Sequence, residues 1–364
     1  MNDVQTAQAR GAEPPILEVR DLEMRFPGPK QGFFRRSHSE IHAVNGVSFS
    51  IRPGEVLGLV GESGCGKSTL GRCIVGSHRA SAGQVLYRDA QGGVTDVVSA
   101  RGATLRRLQR DVRVIFQDPF SSLNPRMTVM QIVGDPLVAT GTASGSELED
   151  RVGDMLVKVG LSREHMRRYP HAFSGGERQR LNIARALIMN PRLVIADEAV
   201  SALDVSVRAQ ILNLLRELQE DFNLTYLFIS HDLSVVESLC DRVAVMYLGR
   251  IAELADTEDL YAAPQHPYTE ALLSAVPRPD PRLRGTGRRV ALPDDFPDPA
   301  NPPSGCFFHT RCSYATEQCT IERPALVPGK DGALVSCHRA SELNLMGVAI
   351  DGDADGRPVP LQAG

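Results

Sequence analysis

One stretch, Gly61-Glu62-Ser63-Gly64-Cys65-Gly66-Lys67-Ser68-Thr69, constrains this chain more than any other. It follows an apolar run, Glu55 to Val60, and leads into a helix-like segment from Thr69 to about Ser77. Gly-x-x-x-x-Gly-Lys-Ser/Thr between a strand and a helix is the pattern of a phosphate-binding loop. Gly61, Gly64 and Gly66 allow a tight turn with inward N–H groups, because a larger residue would keep a phosphate at a distance. The helix N-terminus adds about half a positive charge facing the anion. Lys67 is then expected to reach the β- and γ-phosphates, and the Ser68 hydroxyl to ligate Mg2+.

A chain of 364 residues has room for two domains and for a core that needs no covalent staples. Its 42% hydrophobic and 23% charged content is that of a soluble globular protein. A net charge of −4 offers no broad basic field for nucleic acid. Met1 to Glu13 is polar, with no apolar stretch to act as a secretory signal, and no run approaches the roughly 20 apolar residues that span a bilayer. Work at a membrane is therefore expected to pass through partners. Of seven cysteines, four lie between 306 and 337. In a reducing cytosol such a cluster suggests metal before disulfide.

Residues 1–14 are expected to form a disordered tail. Ile16 to Val19 and Val44 to Ile51 alternate as half-buried strands do, and Pro27 to Ser39 reads as a surface loop. Phe26, just before that loop, offers a π-face for stacking on adenine or serves as a small core aromatic. Gly83 to Tyr87 and Val112 to Phe116 read as strands. Arg106, Arg107, Arg110 and Arg113 read as a solvated basic face. Gln117 follows a strand directly, where open α/β sheets place ligand contacts.

From Ser122 to Pro170 the strand-like runs stop, and Leu148, Val152, Met155, Leu156 and Val159 recur at helical spacing. Ser174-Gly175-Gly176-Glu177 opens an amphipathic helix, with Ser174 suited to its N-cap and the terminus suited to an anion. Leu193 to Ala196 is uniformly apolar, as a strand buried on both faces should be. Asp197 and Glu198 at its tip would be costly without a cation or hydrogen bonds. Beside a phosphate loop, Asp197 is the natural Mg2+ partner and Glu198 the natural water-activating group. Ser201 to Asp204 then leads into a helix, and Leu224 to Ser230 is a further strand ended by His231. The domain is expected to close near residue 255.

In this order, the pieces resemble the ATP-binding-cassette (ABC) ATPases over roughly residues 16 to 255. Gly61 to Ser68 resembles Walker A, Gln117 the Q-loop and Ser174 to Arg178 the signature. Leu193 to Asp197 resembles Walker B with Glu198 as catalytic glutamate, Ser201 to Asp204 the D-loop and His231 the switch histidine. Phe173, Glu177 and Ala199-Val200 depart from the commoner Leu, Gln and Pro-Thr. The resemblance implies an α/β fold: a RecA-like parallel sheet with an antiparallel β subdomain and a helical insertion at about 120–175.

It implies ATP contacts at Gly61, Ser63, Gly64, Cys65, Gly66, Lys67, Ser68, Thr69 and Phe26, and, across a head-to-tail dimer, at Ser174, Gly175, Gly176, Glu177 and Asp204. Mg2+ would be held by Ser68, Gln117 and Asp197, with Glu198, His231 and Gln117 catalytic. A soluble cassette protein acting on nucleic acid or ribosomes, or in metal-cluster assembly, is the alternative. Such proteins usually carry two cassettes, long coiled-coil insertions or a basic arm, and this sequence has none of them.

Gln265 to Leu273 and Cys306-x5-Cys312-x6-Cys319-x17-Cys337 resemble the extension that follows the cassette in oligopeptide and dipeptide importers. The division expected is a cassette at 15–255, a small loop-rich metal-binding region at 256–340 and a tail at 341–364. In relatives the four cysteines can hold a [4Fe–4S] cluster. Four thiolates suit iron–sulfur or zinc, and the lack of a close C-x2-4-C pair favours the former. Reduced cysteines in a small core are the remaining reading. His309 and His338 lie near enough to serve as alternative ligands or to support the cysteines, or read as ordinary loop histidines, and Cys65, Cys73 and Cys240 read as small buried residues. The importer resemblance also implies a second ATPase subunit, two permeases, an extracytoplasmic peptide-binding protein and a place at the cytoplasmic face of the membrane.

Overall fold

The computed structural model describes residues 13–28, 40–118, 122–276 and 296–347. Most of the expected N-terminal tail, residues 29–39 of the expected surface loop and the tail beyond 347 lie outside these residues.

Alternation in the first strands has the predicted consequence. β1 (Leu17–Pro27) and β2 (Glu40–Ile51) pair antiparallel, and β4 (Ala82–Arg88) with β5 (Val94–Asp96) extends them into a sheet of order β2-β1-β4-β5. Leu17, Val19, Val47 and Ile51 join one core with Leu70 and Ile74 of helix α1 (Lys67–Ile74). That helix starts two residues before the expected Thr69 and ends three before Ser77. The phosphate loop runs straight into it, and Gly76 at φ +73° stops it.

A second sheet carries the strand ends. β3 (Val56–Val60), β6 (Val112–Ile115), β7 (Leu193–Asp197), β8 (Thr225–Ile229) and β9 (Arg242–Tyr247) run parallel in the order β9-β3-β8-β7-β6. β3, β7 and β8 are buried at every residue, so both faces demand apolar side chains and no alternation appears. α2 (Gly102–Asp111) hands directly over to β6, which carries Arg113 into a half-buried position, donating to the Gln109 carbonyl at 3.2 Å. Burial pushes its guanidinium below the ordinary value. The expected solvated basic face is therefore Arg106, Arg107 and Arg110 alone.

The region without strands is helical: α3 (Val129–Ala139) packs on both α4 (Gly145–Lys158) and α5 (Gly175–Leu187). α6 (Val205–Phe222) and α7 (Leu233–Leu239) then flank the parallel sheet.

No break in the sheet occurs at the expected boundary near 255. β10 (Arg250–Asp256) pairs with β9, and the short β12 (Leu334–Val335) and β11 (Val327–Pro328) continue the same sheet. Tyr268 on α8 (Pro267–Ser274), with Phe307, Phe308 and Val335, enters the same core as Ala196 and Phe228. Hydrophobic packing thus runs across that position. Among the described residues no helix is long and apolar enough to cross a membrane.

Candidate functional site

Beyond β3 the chain turns through Gly61, Gly64 and Gly66 at φ +150°, +82° and +109°. A Cβ on Gly61 would stand 2.1 Å from the Met246 carbonyl oxygen, and one on Gly66 2.0 Å from that of Ala43. The loop is threaded between two strands with no room for a side chain, whereas Gly64 faces open space and needs glycine only for its φ. Ser63 is exposed at the crown, Cys65 is buried with its thiol pushed up by burial, and Thr69 is half-buried in the first turn of α1. Lys67 is buried and folds back, its Nζ donating to the Gly61 carbonyl at 2.7 Å and the Glu62 carbonyl at 3.0 Å.

The Ser68 hydroxyl donates to Asp197 Oδ1 at 2.8 Å, joining residues 129 positions apart. Burial pushes the Asp197 carboxyl above its ordinary value, and the Ser68 hydrogen bond offsets part of that. A buried carboxylate with one hydroxyl beside it is a donor pair that suits a hard cation. Next to it, Glu198 sits at φ +49° on the tip of β7. Gln117 Nε2 donates to its Oε2 at 2.6 Å, and His231 Nδ1 lies 3.5 Å from its Oε1. Three residues from the ends of β6, β7 and β8, adjacent strands, therefore meet at one carboxylate. Glu198 engages the Gln117 amide nitrogen, and the Ser68–Asp197 pair stands apart from that bond.

Ser174 caps α5 in a closed capping box. Its hydroxyl oxygen accepts from the Glu177 N–H at 3.4 Å, while Glu177 Oε2 accepts from the Ser174 N–H and hydroxyl at 2.9 and 2.8 Å. Those two bonds hold the Glu177 carboxyl below the usual range. Gly176 lies against Val207, whose Cγ1 a Cβ there would meet at 2.6 Å, and Gly175 opens the helix. Among the described residues no hydrogen bond or ion pair joins Ser174–Glu177 to Gly61–Thr69. Asp204 is exposed, and Val205 beside it is 80% exposed. Phe26 is half-buried on β1, edge-on to His78 at 5.9 Å between centroids.

Cys306, Cys312, Cys319 and Cys337 line one open cavity, with His266, His309 and His338. All four are free thiols. Burial raises Cys306 and pushes Cys312 and Cys337 up to about 11. Among the described residues no three His, Cys, Asp or Glu side chains are gathered closely enough to hold a metal ion. The donor chemistry suits a soft metal. His309 Nδ1 pairs with the Cys306 carbonyl at 2.8 Å and His338 Nε2 with that of Glu322 at 2.9 Å.

The family model described as ABC transporter matches residues 44–201, and that described as oligopeptide/dipeptide transporter, C-terminal region, matches residues 252–319. The oligopeptide transport ATP-binding protein AppF of Bacillus subtilis is 48% identical over 324 residues, covering 89% of this chain and 97% of AppF. The chain belongs to the ABC ATPases of the oligopeptide/dipeptide importer family. The probable peptide ABC transporter ATP-binding protein y4tS of Sinorhizobium fredii is 49% identical over 89% of each chain. Among solved structures, the dimeric ATP-binding cassette MJ0796 bound to ADP and Pi superposes with a TM-score of 0.56 and 27% identity, covering 66% of this chain and 98% of that one.

Three contacts of this ABC ATPase are invisible in its motifs. Arg311 pairs with Glu62, 249 positions away, the Tyr268 hydroxyl accepts from the Glu62 N–H, and Arg208 pairs with Asp232 at 2.7 Å. No local spacing rule connects these residues.

Proposed function

We propose that this ABC ATPase binds and hydrolyses MgATP in a head-to-tail pair of nucleotide-binding domains, and so drives uptake of oligopeptides or dipeptides through two partner permeases. The observation that carries the reading is the Ser68–Asp197 hydrogen bond at 2.8 Å, set beside the Gln117–Glu198–His231 convergence. It puts a hydroxyl, a buried carboxylate and a second carboxylate at the end of one phosphate loop.

Lys67 exchanges its two loop carbonyls for phosphate oxygens, and Ser63 to Thr69 turn their N–H groups to the same anion. Ser68 and Asp197 hold Mg2+, which supplies charge neutralisation on the phosphates. Glu198 orients the attacking water, Gln117 and His231 hold Glu198 in place, and Phe26 stacks on the base. The exposed Ser174–Glu177 corner and Asp204 complete the site of a second ATPase subunit, a copy of this chain or a sister protein. The resulting closure excludes water, so catalysis rests on positioning and electrostatics.

The likeness to AppF, an oligopeptide transport protein, and to y4tS, a probable peptide transporter subunit, supports peptides as cargo. An extracytoplasmic binding protein would deliver them, with this chain at the cytoplasmic face of the membrane. The cassette is assigned to 15–255, with its helical part at about 120–175, and the four-cysteine region to 256–340. Four thiols on one cavity support a [4Fe–4S] cluster, with zinc as the competitor. Iron, sulfide and zinc analysis of anaerobically purified protein separates the two.

Glu198→Gln is the test of mechanism. It should abolish steady-state hydrolysis, retain ATP binding and stabilise the closed dimer. Normal turnover by that variant refutes the role given to Glu198.

A further inference from the structure

Glu62, the second residue of the phosphate loop, is held from outside the cassette motifs. Arg311 Nη1 donates to its Oε2 at 2.7 Å and Arg311 Nη2 to its Oε1 at 2.9 Å. The Tyr268 hydroxyl oxygen accepts from the Glu62 N–H at 2.9 Å. On its other side, the Glu62 carbonyl accepts from Lys67 Nζ at 3.0 Å. A single residue thus ties the lysine of the phosphate loop to two side chains of the C-terminal region.

This is not a loose surface pair. The Arg311 side chain is 4% exposed, and its guanidinium lies near the rings of Tyr247 and Phe296, 5.9 and 5.8 Å from their centroids. Two parallel hydrogen bonds fix orientation as well as distance. Tyr268 is fully buried, its ring 4.6 Å from that of Tyr247 and 5.3 Å from that of Phe308. Neither partner can follow the loop if it moves. Without Arg311, Glu62 would present an unpaired negative charge at the edge of a site built for polyphosphate, and the loop would lose a tether.

We propose that Arg311 is a positioning residue for the phosphate loop, acting through Glu62, so that the C-terminal region sets the affinity of the nucleotide site. The inference rests on the nucleotide reading above. Calorimetric titration of the full chain with MgATP and MgADP, on wild type, Arg311→Gln, Glu62→Gln and the double variant, tests it. Arg311→Gln should weaken both nucleotides about tenfold, within the usual range of coupling between sites. In the Glu62→Gln background the same change should cost less than about twofold, because its route to the loop is gone.

Arg311→Lys keeps the charge but not the paired geometry, and should recover part of the affinity. Tyr268→Phe, which keeps the ring and removes the acceptor, should weaken binding in the same direction by a few-fold. These two variants carry the comparison if Arg311→Gln does not fold. A merely structural arginine would lower thermal stability and leave the Kd of folded protein unchanged. Wild-type Kd in folded Arg311→Gln, or an equal loss with and without Glu62, overturns the proposal. Failure of the wild-type chain itself to bind MgATP would instead overturn the nucleotide reading.

Discussion

Gly66→Ala probes whether the phosphate loop owes its course to close approach or only to backbone freedom. At φ +109° an alanine pays roughly 1–2 kcal/mol for leaving the region open to L-residues. Its Cβ would also stand 2.0 Å from the Ala43 carbonyl oxygen and 3.1 Å from Met246 Cε. A carbon and an oxygen normally approach no closer than about 3.3 Å. Ala43 is backbone in β2 and Met246 is fully buried in β9, so relief requires strands to shift. Overpacking of that kind adds roughly 1–3 kcal/mol, for a total of about 2–5 kcal/mol.

Gly64→Ala is the internal control. Its φ of +82° carries the same backbone cost, but nothing lies within 4 Å of the added carbon. It should cost only about 1–2 kcal/mol. At about 2–4 °C per kcal/mol for a large domain, nucleotide-free Gly66→Ala should melt roughly 4–20 °C below wild type, and further below it than Gly64→Ala. Scanning calorimetry with a denaturant titration reads both. Adding MgATP should restore less stability to Gly66→Ala, because its loop N–H groups no longer converge. Equal melting losses in the two variants would refute the argument from close approach.

Ser68→Ala removes the hydroxyl that donates to Asp197 at 2.8 Å; it should lower stability by about 1 kcal/mol and raise the Mg2+ concentration needed for ATPase activity. An unchanged Mg2+ titration would count against the cation site. Hydrogen bonds hold the Glu177 carboxyl below its ordinary value of 4.5, so the ionised capping box stabilises the fold above that pH, and the benefit is lost as pH falls through the lower folded value. The melting difference between wild type and Glu177→Ala should therefore be about 1 kcal/mol near neutrality and shrink below pH 4, and a difference flat with pH would contradict it. Cys65, Cys73 and Cys240 are buried with raised thiol values, Cys73 at about 11, so iodoacetamide at neutral pH should spare all three until denaturant is added. Mass mapping of the modified thiols checks this.

Local rules made much of the molecule legible. Glycines beside Lys67 announced the loop, uniform apolarity announced β7 and β8, and Ser174 announced a capped helix. Each signal depends on neighbours within a turn or a strand, where spacing and geometry are the same thing. The misreadings have the same origin. Arg113 follows a helix whose other arginines face water, and only the handover from α2 to β6 carries it inward. The pairing of β10 with β12 is no more legible, because Glu253 meets Val335 across a long stretch of intervening chain.

By itself, the sequence determined the phosphate loop, the alternation that makes the first sheet half-buried, the Ser174 cap and the family to which the chain belongs. Tertiary structure alone decided that Gln117 and His231 meet at Glu198, that Arg311 reaches Glu62, and that four cysteines line one cavity. The reason is one of range. Covalent spacing sets which side chains share a face, but the order of strands in a sheet sets which distant residues touch, and that order follows from packing the whole core at once.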